Sequence, residues 1–567
     1  MASVAVYHPH RLRHFPLFPR ALGISTNEIT HFLLLHKPHS FEPLKVLQHG
    51  KAILQLNTTE LDKTESYFVD AWKWHEASAC PKAPIVVLGT SITGGRGADE
   101  PTGQEEQIAG TADLSSVYNV GQSWGHHFVD ILNRHLMLHR LESVRNVSIF
   151  YKSGTFPSFF SMCTNSVLPP DTRIVLLEAP TWMITQAGIK EQLARIANAV
   201  RRVAPNAVIV FVEWPALEDV SESAMAPNLV AMDAAASELK IDTVRVYHAL
   251  RAVASHCTHS DYDVPFSNLS KETPGRLKWL YRHFPCYHEL YANRAKDMVH
   301  PNPWGHQLLG ALVARHVARA LVNASMASMS QAAANTPTVL HQVDTSSSTA
   351  PSDSHFELCY LSAPDLPLIA AASHGTWKLV DEGHQGVEKL GYLSTQKGDV
   401  LVLDILRDFP RNHTGNSCGL LTVTLSYLLS TSIPDQGAFN LTCDGCRCKE
   451  LSVPLQDLFN PFPVVETNAN AHYTFRGVNI SITAQTRFVA YYSNTSTCTL
   501  SVSHVPSGWP LPNFQHTPLL QARSRIRIDG LFIEPMQQSS VLWYTHHQRH
   551  SKTAKFLRAV NSSGCRI

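Results

Sequence analysis

The sequence predicts an α/β fold in its N-terminal half and an all-β fold towards its C-terminus. Short apolar strands alternate with amphipathic helices between about residues 84 and 322. Ser, Ala and Thr then dominate from 324 to 354, and beyond them apolar and polar side chains alternate with a period of two. Strand–helix alternation implies a parallel sheet covered on both faces, in three α/β/α layers. Period-2 runs broken by Gly, Pro, Asn and Asp imply antiparallel strands, in a sandwich or jelly-roll. At 567 residues the chain exceeds one ordinary core and calls for two domains or more.

Residues 1–80 show no sustained periodicity and read as an irregular leader before an α/β domain at 81–323. Ile85–Leu88 is a short buried strand ending in a small-residue turn. Ser123–Leu138 has helical spacing through Trp124, Phe128, Ile131, Leu132 and His135. Val147–Tyr151 and Thr172–Leu177 are the next strands. Gln186–Val203 places Ile189, Leu193, Ile196 and Val200 on one helical face. Ala207–Trp214 is β-branched and apolar, hence a strand. Leu229–Leu239 reads as a helix, Thr243–Tyr247 as a strand, and Trp304–Val322 as a closing helix entered through Pro303. Residues 324–354 read as a flexible linker. In the β-sandwich-like domain at 355–510, strands are expected at Thr376–Val380, Asp399–Leu406, Leu421–Leu429, Tyr473–Thr483 and Arg487–Tyr492. The tail at 511–567 carries no clear assignment.

The chemistry is concentrated in two segments two hundred residues apart. Ile85-Val-Val-Leu-Gly89-Thr-Ser91-Ile-Thr-Gly-Gly95 puts a serine at the apex of the turn after the first strand. Asp297-Met-Val-His300-Pro-Asn-Pro-Trp-Gly precedes the last helix. A hydroxyl becomes a nucleophile only beside a base, and that base needs a carboxylate to orient it. Ser91, His300 and Asp297 are the residue types for those three roles. In a parallel sheet both loops fall at the carboxyl ends of strands, where sites in such folds gather.

These blocks resemble the SGNH (GDSL-type) hydrolase superfamily, over roughly residues 84 to 322. Gly89-Thr90-Ser91 is similar to the family's Gly-Asp-Ser, with Thr in place of Asp, and Asp297-x-x-His300-Pro301 matches its last block. The resemblance implies Ser91 as nucleophile, His300 as base and Asp297 as the residue fixing its tautomer. It also implies an oxyanion hole from the backbone N–H groups of Ser91 and Gly154. The family's third block would add an Asn, but Leu177-Glu178-Ala-Pro180-Thr-Trp182 stands there instead. Thr181 is the candidate substitute, and loss of one such donor typically costs about 10²–10³ in rate. Trp182 and Trp304 are candidates for lining the substrate pocket, with core packing an equal alternative for Trp304. The expected activity is hydrolysis of a carboxylic ester, with a short acyl group on a glycan or small molecule. A catalytically weak glycan-binding protein and an O-acyltransferase using the same triad are the alternatives.

The rest of the chain narrows the setting. A formal charge of +1 gives no electrostatic reason to expect nucleic acid as partner. No cofactor is called for. The 31 His are scattered, without the spacing of a zinc-protease helix, and no apolar run is long enough to span a bilayer. Asn-x-Ser/Thr sequons occur at Asn57, Asn146, Asn268, Asn323, Asn412, Asn440, Asn479, Asn494 and Asn561. Five of the 11 Cys lie between Cys418 and Cys498. Cys443-Asp-Gly-Cys446-Arg-Cys448 reads as disulfides ahead of a zinc site, which would need a further ligand. Sequons and disulfides favour the secretory pathway or the extracellular space, although no clear signal peptide opens the chain. The oligomeric state is not legible.

Overall fold

The computed structural model describes residues 5–6, 74, 84–98, 123–138, 141, 147–152, 157–180, 189–215, 227–247, 299–333, 358–361, 365–381, 390–408, 418–430, 438–448, 451–454, 481–493, 497–505 and 525–536. The chain divides near residue 338 into two compact units. The first holds a six-stranded sheet, β1 (Ala5–Val6), β2 (Ile85–Gly89), β3 (Val147–Tyr151), β4 (Ile174–Pro180), β5 (Val208–Trp214) and β6 (Asp242–Val244), in the order β1-β3-β2-β4-β5-β6. All pairings are parallel except the two-residue edge strand β1, which runs antiparallel to β3. Among the described residues its long helices are α1 (Trp124–Leu138), α2 (Ile189–Val203), α3 (Pro227–Glu238) and α4 (Pro303–Ala333).

Alternation decides which face each strand residue covers. Ile85, Val87, Ile174, Leu176, Val208 and Val210 share one core with Trp124, Phe128 and Leu132 of α1 and Leu309, Val313 and Val317 of α4. Val86, Leu88, Val175, Leu177, Ile209 and Phe211 are equally buried on the opposite face. Strands apolar at consecutive positions are what a sheet covered on both sides requires. The helix α2 buries Ile189, Leu193, Ile196 and Val200 as the sequence predicts, and packs against α3.

Two expectations for this unit change. The stretch read as an irregular leader contributes β1 and Trp74, which is buried in the same core and donates its indole N–H to Asp242 at 2.7 Å. The linker read from 324 begins later, because α4 runs on to Ala333. Ala324, Ala327, Ala332 and Ala333 favour helix, and no Gly or Pro interrupts before Pro337.

Among its described residues the second unit is all-β, as expected, apart from one short helix at Asp365–Ile369. One sheet is antiparallel and seven-stranded: β14 (Arg447–Cys448), β16 (Ser481–Ser493), β12 (Cys418–Ser430), β18 (Ile526–Pro535), β10 (Leu390–Ser394) and β9 (Lys378–Asp381), with β7 (Leu358–Leu361) also on β18. The other runs β15 (Leu451–Pro454), β13 (Ala438–Asp444), β17 (Thr499–Val505), β11 (Val400–Asp404) and β8 (Ala370–His374). The two sheets meet where Tyr427 of β12 stacks edge-on against Phe439 of β13, centroids 5.0 Å apart. Two corrections apply here. Residues 481–493 form one strand rather than two, since Ala484-Gln-Thr-Arg487 holds no turn former. The tail supplies β18, the strand that joins β12 to β10 and β7. The cysteines pair as Cys443–Cys448 and Cys446–Cys498, the disulfide reading of that cluster.

Candidate active site

In the strand order, β2 leads to β3 on one side and the chain then crosses back to β4 on the other. The loops after β2 and β4 therefore flank a reversal of winding, the position at which open α/β sheets form their crevices. Residue 89 ends β2, and Thr90 to Gly95 then coil in a helical turn, with Gly94 N–H bonded to Thr90 C=O and Arg96 N–H to Ser91 C=O, both at 3.0 Å. Gly95 and Gly97 take positive φ of 78° and 84°, which explains the glycine-rich sequence after the serine.

Ser91 sits on this turn with its Oγ 2.6 Å from His300 Nε2, 209 residues away. Both are largely buried yet not sealed, at 8% and 7% exposure. Their approach has local causes. Trp214, at the end of β5, donates its indole N–H to Val299 C=O at 2.8 Å and pins the histidine loop to the sheet. Two residues past His300, Asn302 caps α4, its Oδ1 accepting from Gly305 N–H at 2.9 Å, and Pro303 occupies the first helical position. Among the described residues no hydrogen bond takes up the backbone N–H of Ser91.

A second ring of contacts holds the serine turn. Glu178 of β4 is wholly buried, and its Oε2 accepts from Thr90 N–H at 2.7 Å, Thr93 N–H at 3.3 Å and Thr93 Oγ1 at 2.9 Å. Thr90 Oγ1 lies 3.1 Å from both carboxyl oxygens. Burial pushes the Glu178 carboxyl above its ordinary range, although the hydrogen bonds from Thr90 and Thr93 pull the other way. A Cβ on Gly89 would lie 1.9 Å from Thr93 Oγ1 and 2.6 Å from Glu178 Oε2, so only glycine lets this carboxyl reach the turn.

His306 of α4 closes the ring. Its Nδ1 accepts from Trp124 N–H at 3.3 Å, so the proton is on Nε2, which donates to Arg96 C=O at 3.0 Å. Burial holds its pKa down to about 3, and this imidazole is neutral and structural. Trp124 also donates its indole N–H to Thr93 Oγ1 at 3.1 Å.

Of the residues singled out in the sequence, the structure brings Ser91 and His300 together. Asp297, Gly154, Thr181 and Trp182 lie outside the described residues, as do Asn57, Asn146, Asn268, Asn412, Asn479, Asn494 and Asn561. Trp304 falls in the first turn of α4. Asn323 is exposed on α4 and Asn440 half-buried on β13. Glu178, Thr93 and His306 were missed as contributors. One signal for Glu178 was available: a lone acid closing the otherwise apolar Ile174-Val-Leu-Leu. Among the described residues no cluster of His, Cys, Asp and Glu could hold a metal ion, and no helix is long and apolar enough to cross a membrane.

No family model matches this chain, and no curated protein matches it. Solved structures that it resembles include a two-domain esterase active on acetylated mannans, co-crystallised with mannopentaose (11% identity, 82% of this chain and 93% of that one, TM-score 0.41). A protein described as a GDSL-like lipase, from Parabacteroides merdae, matches at 13% identity over 42% of this chain and 95% of that one, with TM-score 0.25. A CBM35 module from Cellvibrio japonicus matches at 14% identity over 31% and 92%, with TM-score 0.16. At TM-scores below 0.5 the chemistry has to be read from this chain's own residues. On its own geometry, the α/β unit sets a serine turn after β2 against a histidine loop that enters α4, at the carboxyl edge of a mostly parallel sheet.

Proposed function

We propose that the α/β unit is a serine esterase that hydrolyses carboxylic esters, with Ser91 as nucleophile, His300 as base and Asp297 orienting the ring. The observation that carries this reading is the 2.6 Å contact between Ser91 Oγ and His300 Nε2. In the reaction, Ser91 Oγ attacks the ester carbonyl carbon while its proton passes to His300 Nε2. The developing oxyanion is received by the Ser91 N–H, with the Gly154 N–H and Thr181 as further donors. The intermediate collapses as the protonated imidazole gives its proton to the departing alkoxide. Water, deprotonated by the same nitrogen, then attacks the acyl-enzyme and releases the acid and free Ser91. The Nε2 lone pair must face Ser91 for this, so Nδ1 carries the ring proton, towards Asp297. The substrate we assign is a short-acyl ester, acetyl first, on a carbohydrate. The SGNH resemblance and a β-sandwich on the same chain support that choice.

The test is fluorophosphonate labelling with mass-spectrometric mapping, together with hydrolysis of p-nitrophenyl acetate. Modification at Ser91, abolished in Ser91→Ala along with turnover, is the expected outcome. Turnover persisting in that variant would remove Ser91 from the mechanism. A folded wild-type protein that the probe leaves unmodified would make the unit a binding module.

A further inference from the structure

The hydrogen bonds around the serine turn are unevenly distributed. Oε2 of Glu178 takes the backbone N–H groups of Thr90 and Thr93, which bracket Ser91 in the chain, and the Thr93 hydroxyl besides. Ser91 N–H, lying between them, is left uncommitted among the described residues. The carboxyl comes from β4, the strand hydrogen-bonded to β2, so the acceptor is mounted on rigid backbone rather than on a loop. Gly89 and the hydroxyls of Thr90 and Thr93 leave room and partners for it. Burying a carboxyl completely is costly unless its lone pairs are used, and here they are spent on the backbone N–H and hydroxyl groups of Thr90 and Thr93 in the turn.

We propose that Glu178 is the positioning residue of the nucleophile: by holding the N–H groups of Thr90 and Thr93 it sets the turn on which Ser91 Oγ faces His300 and reserves the Ser91 N–H for the oxyanion. This rests on the serine-esterase reading. What the turn needs is an acceptor at the place of Oε2, not a negative charge. Glutamine satisfies that demand, with its carbonyl oxygen in the place of Oε2 and its amide donating to Thr90 Oγ1. Alanine removes the acceptor, and aspartate withdraws it by the length of one methylene.

The experiment compares Glu178→Gln, Glu178→Asp and Glu178→Ala by p-nitrophenyl acetate kinetics and by amide hydrogen exchange of the peptide spanning residues 88–97. Glu178→Gln should keep kcat within about threefold and preserve exchange protection of the turn. Glu178→Ala should lower kcat on the order of 10²-fold with KM nearly unchanged, the signature of an interaction that matters in the transition state. Its turn should exchange on the order of ten times faster or more, while peptides from α2 and β5 exchange as in wild type. If Glu178→Ala does not fold, Glu178→Asp carries the same comparison with a smaller loss. A folded Glu178→Ala or Glu178→Asp with wild-type kcat and wild-type exchange overturns the proposal. So does a Glu178→Gln as impaired as Glu178→Ala, which would assign the role to charge. Should the wild type prove inert to ester and probe, the esterase reading falls, and the exchange comparison still decides whether Glu178 holds the turn.

Discussion

Both units set a serine against a histidine, Ser91 against His300 in the first and Ser394 against His504 in the second, and the two pairs differ in access and in the direction of the proton. In the β unit, Ser394 Oγ lies 2.8 Å from His504 Nδ1 and donates to Asp399 Oδ2 at 2.9 Å. The same Asp399 oxygen also accepts from the backbone N–H and hydroxyl of Thr376. The hydroxyl proton of Ser394 has Asp399 Oδ2 and the Gln396 carbonyl as acceptors, so the imidazole facing Ser394 Oγ acts as a donor. A base cannot be in that position. Ser394 and His504 are sealed at 0% and 1% exposure, against 8% and 7% for Ser91 and His300. The cluster ties turns between antiparallel strands, whereas Ser91 stands on a tight turn at the carboxyl end of a parallel strand. Residue types make both look alike; proton direction and access separate them.

The largest effect should come from exchanging the two serines. Ser91→Ala is expected to lower ester turnover by on the order of 10⁴-fold or more while leaving the melting temperature nearly unchanged. Ser394→Ala should leave turnover and probe labelling unaltered, and cost about 1–3 kcal/mol of stability through the lost donor to Asp399. Parallel assays of turnover and thermal unfolding check both. Activity lost in Ser394→Ala at full stability would erase the contrast.

Acid should next separate the units. His306 is bound neutral, with its pKa held down from 6.5 to about 3 by burial. A depressed folded value means that its contribution is complete above 6.5 and is lost as pH falls towards 3. At about 1.4 kcal/mol per pH unit, that is on the order of 5 kcal/mol over the window. Asp399 behaves differently. Burial alone would raise its carboxyl, but hydrogen bonds from Thr376 and Ser394 hold it below its ordinary 3.8, so that its share is lost only under stronger acid. Hydrogen exchange measured between pH 7 and 3 should show the peptides of β2 and α1 loosening before those of β10 and β11. His306→Gln, which cannot titrate, should flatten the acid slope of the first unit. Loosening of both units together, unaffected by that substitution, would contradict the assignment.

How far each region could be read from sequence follows the same division. The strand Ile85–Leu88 announces itself because a parallel strand is apolar on both faces, and its terminal glycine and serine mark the turn. The contact between Ser91 and His300 followed from where their loops fall relative to strands. Glu178 gave one faint signal, a lone acid closing an apolar run, but an acid at that place ordinarily marks the start of a solvated loop. Its burial depends on Gly89 and Thr93, eighty-five residues or more away, an arrangement no local pattern encodes. In the β unit, β18 was missed for a related reason. Arg527 and Asp529 interrupt the apolar positions of Ile526-Arg-Ile-Asp-Gly-Leu-Phe-Ile, yet both are buried and paired at 2.6 Å. Paired charges inside a sheet look like surface in the sequence and behave as core in the fold.

The smallest expected effect distinguishes the two buried carboxyls by sign. Glu178 is pushed up from its ordinary 4.5, chiefly by burial, while Asp399 is held down by its donors. A raised folded value means that Glu178's contribution is complete below 4.5 and is lost as pH climbs through the folded value, since a charge must then be held in the core. Relative to Glu178→Gln, which stays neutral, the wild type should therefore lose melting temperature as pH rises above 4.5, until ionisation is complete. Relative to Asp399→Asn, the wild type should instead gain as pH rises towards 3.8 and hold that gain above it. Differential scanning calorimetry of the three proteins from pH 3 to 9 reads both slopes directly. Parallel curves for wild type and Glu178→Gln throughout would show that Glu178 carries its charge in the fold at no cost. The turn around Ser91 would then be held by a carboxylate, as the Thr376 turn is held by Asp399, and protonation would no longer distinguish the two clusters.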